Sequence, residues 1–237
     1  MNPIIEEAIT NGRFVLTEVE SKRLLGQAGI NCITTELAES ETEAISQSQE
    51  MGFPVALKIA SPDIVHKSDI GGVYLGLATP EDVGAAYREI MSNTRQNSPE
   101  ARIDGVSVQK MAPPGVAVII GSTKDTQFGP VIMFGLGGLL VEIIEDVSLK
   151  ITPISPQDAA DMLREIKGYK LLKGYRGQPP VDTDALVEML LAVSGFVENN
   201  PVVKEIDLNP VIAGTDSAVA VDARVVLEEN FEERDKR

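Results

Sequence analysis

Three short β-rich runs near the middle of the chain, Gly105–Lys110, Val116–Ile120 and Val131–Phe134, are separated by the turn-forming segments Pro113-Pro114-Gly115 and Phe128-Gly129-Pro130. Each run is too short for a helix and is bounded by residues that break one, so strands are expected. The flanking sequence alternates between helical and strand patterns. Thr17-Glu18-Val19-Glu20 reads as a capping box that opens a helix to about Gly29. Ile30–Thr34 reads as a short strand, Ser40–Glu50 as a helix closed by Gly52, and Val55–Ala60 as a strand containing one cation. A strand is expected at Val73–Ala78 and a helix at Pro80–Met91, with proline in its first turn. The polar stretch Asn93–Pro99 reads as a surface connection. Helices are expected again at Ser155–Lys167 and Asp182–Asn199, then strands at Val202–Leu208 and Ala218–Val221. The charged tail from Glu228 to Arg237 is expected to fray. The fold class is therefore α+β, with two lobes joined near Val108–Met111 and divided as residues 1–108 and 109–237.

Hydrophobic residues make up 43% of the 237, enough for packed cores and against wholesale disorder. A formal net charge of −15 disfavours nonspecific binding to nucleic acid or to an anionic membrane. A polyanionic ligand would need a local cluster of cations and backbone N–H groups. No apolar run approaches the roughly 20 residues a helix needs to cross a bilayer. The first ten residues carry acids and no apolar segment, so no signal peptide is expected. The single cysteine, Cys32, excludes an internal disulfide and fits a reducing, cytoplasmic setting.

Four features carry possible chemistry. The only histidine, His66, stands in the polar segment Ser61–Gly72 between two apolar runs. An imidazole there is either an ordinary solvated residue or a group that exchanges a proton, a metal or a phosphoryl group. Lys58 sits inside an apolar strand; either an anion meets its ammonium or strand alternation aims it at solvent. Gly135-Leu136-Gly137-Gly138 follows an apolar run, where glycines allow backbone N–H groups close to a phosphate or simply make a tight turn. It matches neither the dinucleotide fingerprint nor the Walker loop. Glu205-Ile206-Asp207-Leu208-Asn209-Pro210 places three oxygen-bearing side chains on one strand face, with Asp222 on the next strand. Such a set can hold magnesium together with nucleotide phosphates. Its apolar flanks argue against a merely solvated face, and Pro210 is expected to end the strand.

Taken in order, Val-Ala-Leu-Lys-Ile at Val55–Ile59, Asp-Ile-Val-His-Lys-Ser-Asp-Ile-Gly-Gly-Val at Asp63–Val73, Phe-Gly-Pro-Val-Ile-Met-Phe-Gly-Leu-Gly-Gly from Phe128 and Glu-Ile-Asp-Leu-Asn-Pro from Glu205 resemble one family. It is the β subunit of ADP-forming acyl-CoA synthetases (acetate–CoA ligase, ADP-forming), ATP-grasp proteins related to the succinyl-CoA ligase β subunit. The likeness runs from about Thr17 to Glu228. It implies an ATP-grasp fold with ATP held between two α/β lobes, and the reaction acyl-CoA + ADP + phosphate ⇌ acid + CoA + ATP. It also implies a partner α subunit, in an α2β2 heterotetramer, which binds CoA, forms an acyl phosphate and passes the phosphoryl group to its own histidine.

Within that resemblance, His66 matches the second phosphoryl carrier and Asp207 lies where a carboxylate would face it. Lys58 matches the phosphate-binding lysine. Gln109, Lys110 and Met111 match the hinge whose backbone reads adenine. Gly135, Gly137 and Gly138 match the turn that approaches the phosphorylated histidine, and Asn209 and Asp222 match magnesium ligands. Ala117 departs from the pattern, because a glutamate that contacts ribose or the hinge is expected there. Two other readings stand beside this one. A succinyl-CoA ligase β subunit would keep its carrier histidine on the partner, which His66 argues against. A nucleotide-binding regulatory module without turnover is the second, and Ala117 is the feature that raises it.

Overall fold

The computed structural model describes residues 1–64, 67–137 and 146–229. In chain order the helices are α1 (Pro3–Thr10), α2 (Glu18–Gln27), α3 (Glu41–Met51), α4 (Pro80–Asn97), α5 (Pro156–Glu165), the single turn α6 (Tyr169–Leu172) and α7 (Thr183–Asn199). The strands are β1 (Thr35–Ala38), β2 (Val55–Ala60), β3 (Val73–Leu77), β4 (Gly105–Lys110), β5 (Val116–Asp125), β6 (Gly129–Leu136), β7 (Val147–Ile151), β8 (Val203–Ala213), β9 (Ala218–Ala220) and β10 (Arg224–Leu227). A 3-10 turn covers Lys67–Ile70. No helix among the described residues is long and apolar enough to cross a membrane.

The chain forms two compact units, and they are interleaved in sequence. The smaller one comprises Thr17–Val19 and Ile33–Ala112. Its antiparallel sheet has the order β1-β4-β2-β3, and β2 and β4 are buried along almost their whole length. Helices α3 and α4 cover it, with Ala44, Val83, Ala86 and Ile90 packing on Val55, Leu57, Ile59, Val106 and Val108. Both helices start where their sequences say they should. Ser40 accepts from the Glu43 N–H. Thr79 and Asp82 close a reciprocal capping box, with proline in the first turn.

The larger unit comprises Met1–Leu16, Glu20–Cys32 and Pro113–Arg237. Its sheet runs β10-β8-β5-β6-β7, with β9 paired on β8, and every pairing is antiparallel. One face of the sheet, including Val118, Ile120, Ile132, Phe134, Ile206 and Leu208, packs against α5 and α7 through Met162, Leu186, Leu190 and Val193. Helix α5 opens with a second capping box, Ser155 with Asp158.

Several expectations need correction. The N-terminal helices do not belong to a contiguous first lobe. Ile5, Leu24, Leu25 and Ile30 are buried in the core of the larger unit, so the compact division is not a single cut at residue 108. Ile30–Thr34 is not a strand; Cys32 makes one isolated bridge with Ala220, and the strand forms three residues later. Helix α4 continues through the polar stretch to Asn97, because Thr94 is fully buried and Asn93 donates to the Gly71 carbonyl. Strand β8 runs through Pro210 to Ala213. A register shift opposite Val118–Ile120 inserts one extra β8 residue there. A bulge of this kind is where a strand tolerates a residue that cannot donate. Strands β7 and β10 and helix α1 were not foreseen.

Candidate functional site

In the smaller unit, Lys58 resolves its two readings in favour of the first. It is buried on β2, and its ammonium meets the Glu18 carboxylate at 2.8 Å. The other oxygen of Glu18 receives Lys67 Nζ at 2.5 Å. The Glu18 side chain is 6% exposed, so this is a desolvated carboxylate shared by two ammonium groups, in contrast to a surface pair of little consequence. A pocket lies beside it, lined by Thr17, Glu18, Ile59, Ser61, Lys67, Asp104 and Ser107 among others. The Ser107 hydroxyl donates to the Lys58 carbonyl at 3.4 Å.

Sequence reasoning missed Glu18, which it read only as part of a helix start. The signal was present in Lys58 itself, since a cation inside a buried strand requires a buried anion nearby.

The flanks of the histidine segment are well held. His66 lies outside the described residues, but both sides of it are tied to β2 and its neighbours. Asp63 accepts from the Arg102 N–H at 2.7 Å. On the other side, Gly72 donates to the Lys67 carbonyl and accepts from Ile59, both at 2.8 Å. A side chain at Gly72 would come within 2.8 Å of both Ile59 and that carbonyl. Gly71 has φ +67°, a conformation glycine adopts at little cost.

The expected hinge falls at the end of β4. Gln109 is buried, paired in register with Thr35 and Ala56. The backbone N–H groups of Lys110 and Met111 donate to Thr34 and Pro54 at 3.4 and 3.3 Å. These are long bonds at the edge of good geometry.

In the larger unit, alternation along β8 holds as expected. Ile206 and Leu208 are buried, whereas Glu205 and Asp207 are half-buried and Asn209 is exposed. Asp207 faces Arg224 on β10 and Gly121 on β5 in register. Burial pushes the Asp207 carboxyl above the usual carboxylate range. The neighbouring Glu205 and Asp222 carboxylates add to this, and Arg224 opposes it. Crowded carboxylates of this kind favour a cation. Among the described residues no group of three or more His, Cys, Asp and Glu is arranged to hold a metal ion. A divalent ion here would take one or two protein oxygens and draw the rest from phosphates or water, which is the habit of magnesium. Asp222 and Asn209 fit that limited role. Asp222 Oδ1 also accepts from the Ala223 N–H at 2.9 Å.

The glycine cluster is not a turn at its start. Gly135 and Leu136 lie inside β6, and Gly135 is paired with Ile119 and Val147. A side chain at Gly135 would meet Val147 at 2.8 Å and the Asp146 carbonyl at 2.9 Å, and one at Gly137 would meet the Ala117 backbone at 2.9 Å. The Gly137 N–H donates to the Ala117 carbonyl at 2.8 Å. These two glycines therefore serve close strand packing. Gly138 lies outside the described residues. Ala117 sits on β5 opposite Ile212.

Comparison with known proteins agrees with this geometry. A family model described as an ATP-grasp domain matches residues 7–227, and the two antiparallel sheets with their covering helices make this an ATP-grasp protein. More narrowly, the chain belongs to the family of ADP-forming acetate–CoA ligase β subunits. It is 46% identical over 224 residues to the Pyrococcus furiosus acetate–CoA ligase [ADP-forming] I subunit beta, covering 94% of this chain and 96% of that one. It is 44% identical to Archaeoglobus fulgidus acetate–CoA ligase [ADP-forming] I, where 95% of this chain corresponds to 33% of a longer polypeptide.

Among solved structures, the Candidatus Korarchaeum cryptofilum dinucleotide-forming acetyl-coenzyme A synthetase 1, in complex with coenzyme A, Ca-AMPCP and HgCl+, superposes with a TM-score of 0.93 at 48% identity. The match covers 95% of this chain and 98% of that one. Another structure of that synthetase holds coenzyme A and Mg-AMPPCP, with its phosphohistidine segment pointing towards the nucleotide-binding site. Its TM-score is 0.85 at 45% identity, with 95% and 98% covered.

Proposed function

We propose that this chain is the nucleotide-handling β subunit of an ADP-forming acyl-CoA synthetase, working on acyl-CoA + ADP + phosphate ⇌ acid + CoA + ATP. The observation that carries the reading is the full-length correspondence to such subunits, 94% of this chain against 96% of the relative. In this role His66 accepts a phosphoryl group on an imidazole nitrogen. The N–P bond then breaks as a terminal oxygen of ADP forms the new O–P bond, which yields ATP and restores the imidazole. Lys58 supplies a charge-assisted donor to the nucleotide phosphates. The chain around Gln109, Lys110 and Met111 receives the base, and trading the long Lys110 and Met111 amide bonds for bonds to adenine costs little. Asn209 and Asp222 hold magnesium, which neutralises developing charge on the phosphates. Asp207 faces the phosphorylated imidazole and orients it. Gly135, Gly137 and Gly138 keep the neighbouring backbone close to that group.

An α subunit carrying the CoA and acyl chemistry completes the enzyme, in an α2β2 assembly. Support comes from the naming of the Pyrococcus relative as a subunit and from the threefold longer Archaeoglobus protein. A cytoplasmic setting is supported by the cysteine count, since Cys32 stands alone and leaves no internal disulfide.

Incubation with γ-labelled ATP and magnesium tests the carrier. The parent chain should take up an acid-labile, base-stable label, and His66→Asn should take up none. Equal labelling of the variant would remove His66 from the reaction, and absence of label in the parent would favour a non-catalytic nucleotide-binding module.

A further inference from the structure

Glu18 has no part in the chemistry described so far, yet it is among the most deeply committed charges of the smaller unit. One carboxylate oxygen binds Lys58 at 2.8 Å and the other binds Lys67 at 2.5 Å, with the Glu18 side chain 6% exposed. Lys58 is fixed on a central strand between β3 and β4. Lys67 is different, because it opens the 3-10 turn that follows the histidine segment and is covalently bonded to His66. Its carbonyl is also engaged, accepting from the Gly72 N–H at 2.8 Å. Consecutive Cα atoms are about 3.8 Å apart, so whatever holds Lys67 sets how far its neighbour can travel.

We propose that Glu18 is a positioning residue: its shared carboxylate clamps Lys67 to the strand that carries Lys58, and so holds the carrier histidine in reach of the nucleotide phosphates. The proposal rests on the phosphoryl-carrier reading given above. The clamp joins two groups that the reaction has to coordinate, the lysine that meets the phosphates and the segment that delivers or receives the phosphoryl group. A buried carboxylate is suited to this because its bonds are short and directional, and water competes poorly for them. Lys67 is the more exposed of the two cations, at 19% against 8% for Lys58, so its place depends on the shared carboxylate more than that of a lysine fixed on a central strand does.

The test uses the full chain with three variants. Lys67→Met keeps the apolar stem and removes the charge, Lys67→Arg keeps the charge, and Glu18→Gln removes the shared anion. Lys67→Met is the decisive one, since Glu18→Gln removes the anion beside the buried Lys58 ammonium and can destabilise the unit. In single-turnover labelling at saturating MgATP, Lys67→Met should slow phosphoryl uptake roughly ten- to hundredfold, the scale of a small positional error at a reacting centre. The ATP concentration giving half-maximal rate should stay within about twofold of the parent, and Lys67→Arg should recover most of the rate.

Hydrogen exchange in peptides spanning residues 61–72 should quicken in Lys67→Met and Glu18→Gln but not in Lys67→Arg. Parent-like labelling by Lys67→Met, or a loss matched by an equal rise in the ATP requirement, would overturn the clamp; the latter would make Lys67 a plain phosphate ligand. Unchanged exchange in Lys67→Met would overturn it even if no variant or parent takes up label, an outcome that would separately end the carrier reading.

Discussion

Asp207 shows how a single residue can report on its site. Its pKa is raised first by burial, then by the Glu205 and Asp222 carboxylates. A folded-state value above the unfolded one means the native state holds its proton longer, so this group weakens the fold as pH climbs through that interval and ceases to do so below the unfolded value. Asp207→Asn should therefore raise the melting temperature at pH 7, and the gain should disappear on acidification to about pH 4, near the ordinary carboxylate value. Thermal denaturation of both proteins across that range checks it; an equal gain at both ends would show that the carboxylate is not the cause. On the role proposed for Asp207 in orienting the imidazole, phosphoryl transfer by the same variant should fall. Lys58 teaches a complementary lesson. Its strand context announced that an anion was required, but not which one. Glu18, forty residues earlier, has the same local signature as any acid in a first helical turn, and only the folded chain brings it to the lysine.

At the scale of elements, Gly105 at the start of β4 holds the smaller sheet to a tight geometry. It has φ +139°, and a Cβ there would lie 2.3 Å from the Ala38 carbonyl oxygen of β1. Gly105→Ala should destabilise the chain by about 2–4 kcal/mol, combining backbone strain with overpacking against a neighbour that cannot yield. Chemical denaturation measures this directly, and a change below about 0.5 kcal/mol would indicate that the β1–β4 edge moves freely. Helix starts were the elements most legible in the sequence, because Ser40, Thr79 and Ser155 act through bonds to residues three positions on. Strand β7 was not foreseen although Val147-Ser148-Leu149-Lys150-Ile151 alternates strictly. Its apolar residues are the exposed ones, at 36, 59 and 52%, while Ser148 is buried and donates to the Met162 carbonyl.

At the scale of the whole molecule, the proposed division of labour places the CoA and acyl chemistry on a partner subunit. The purified chain alone should make no ATP from acyl-CoA, ADP and phosphate, whereas addition of the cognate α subunit should establish turnover. Full synthetase activity from the isolated chain would refute the division of labour. The same experiment run with His66→Asn should stay inactive with the partner present.

Short-range order in this protein was written in the sequence: which stretches are helices, where they start, and that Glu205, Asp207 and Asn209 share a strand face. Those features depend on residues within a few positions of one another, and a linear pattern carries them. The chemical types of the candidate site were legible for the same reason, as local strings around Lys58, His66 and Asp207. What the tertiary structure alone decided was pairing at long range. Residues 1–16 and 20–32 joined the larger unit because Ile5, Leu24, Leu25 and Ile30 found their core beyond residue 113. Pro210 stayed within a strand because β8 bulges there, with one extra residue opposite β5. Gly135 and Gly137 became packing residues because Asp146, Val147 and Ala117 crowd them. Glu18 became the counter-ion of Lys58 and Lys67 because folding removed Glu18 and Lys58 from water together and brought Lys67 beside them, and a desolvated charge is stable only where its partner has been brought beside it.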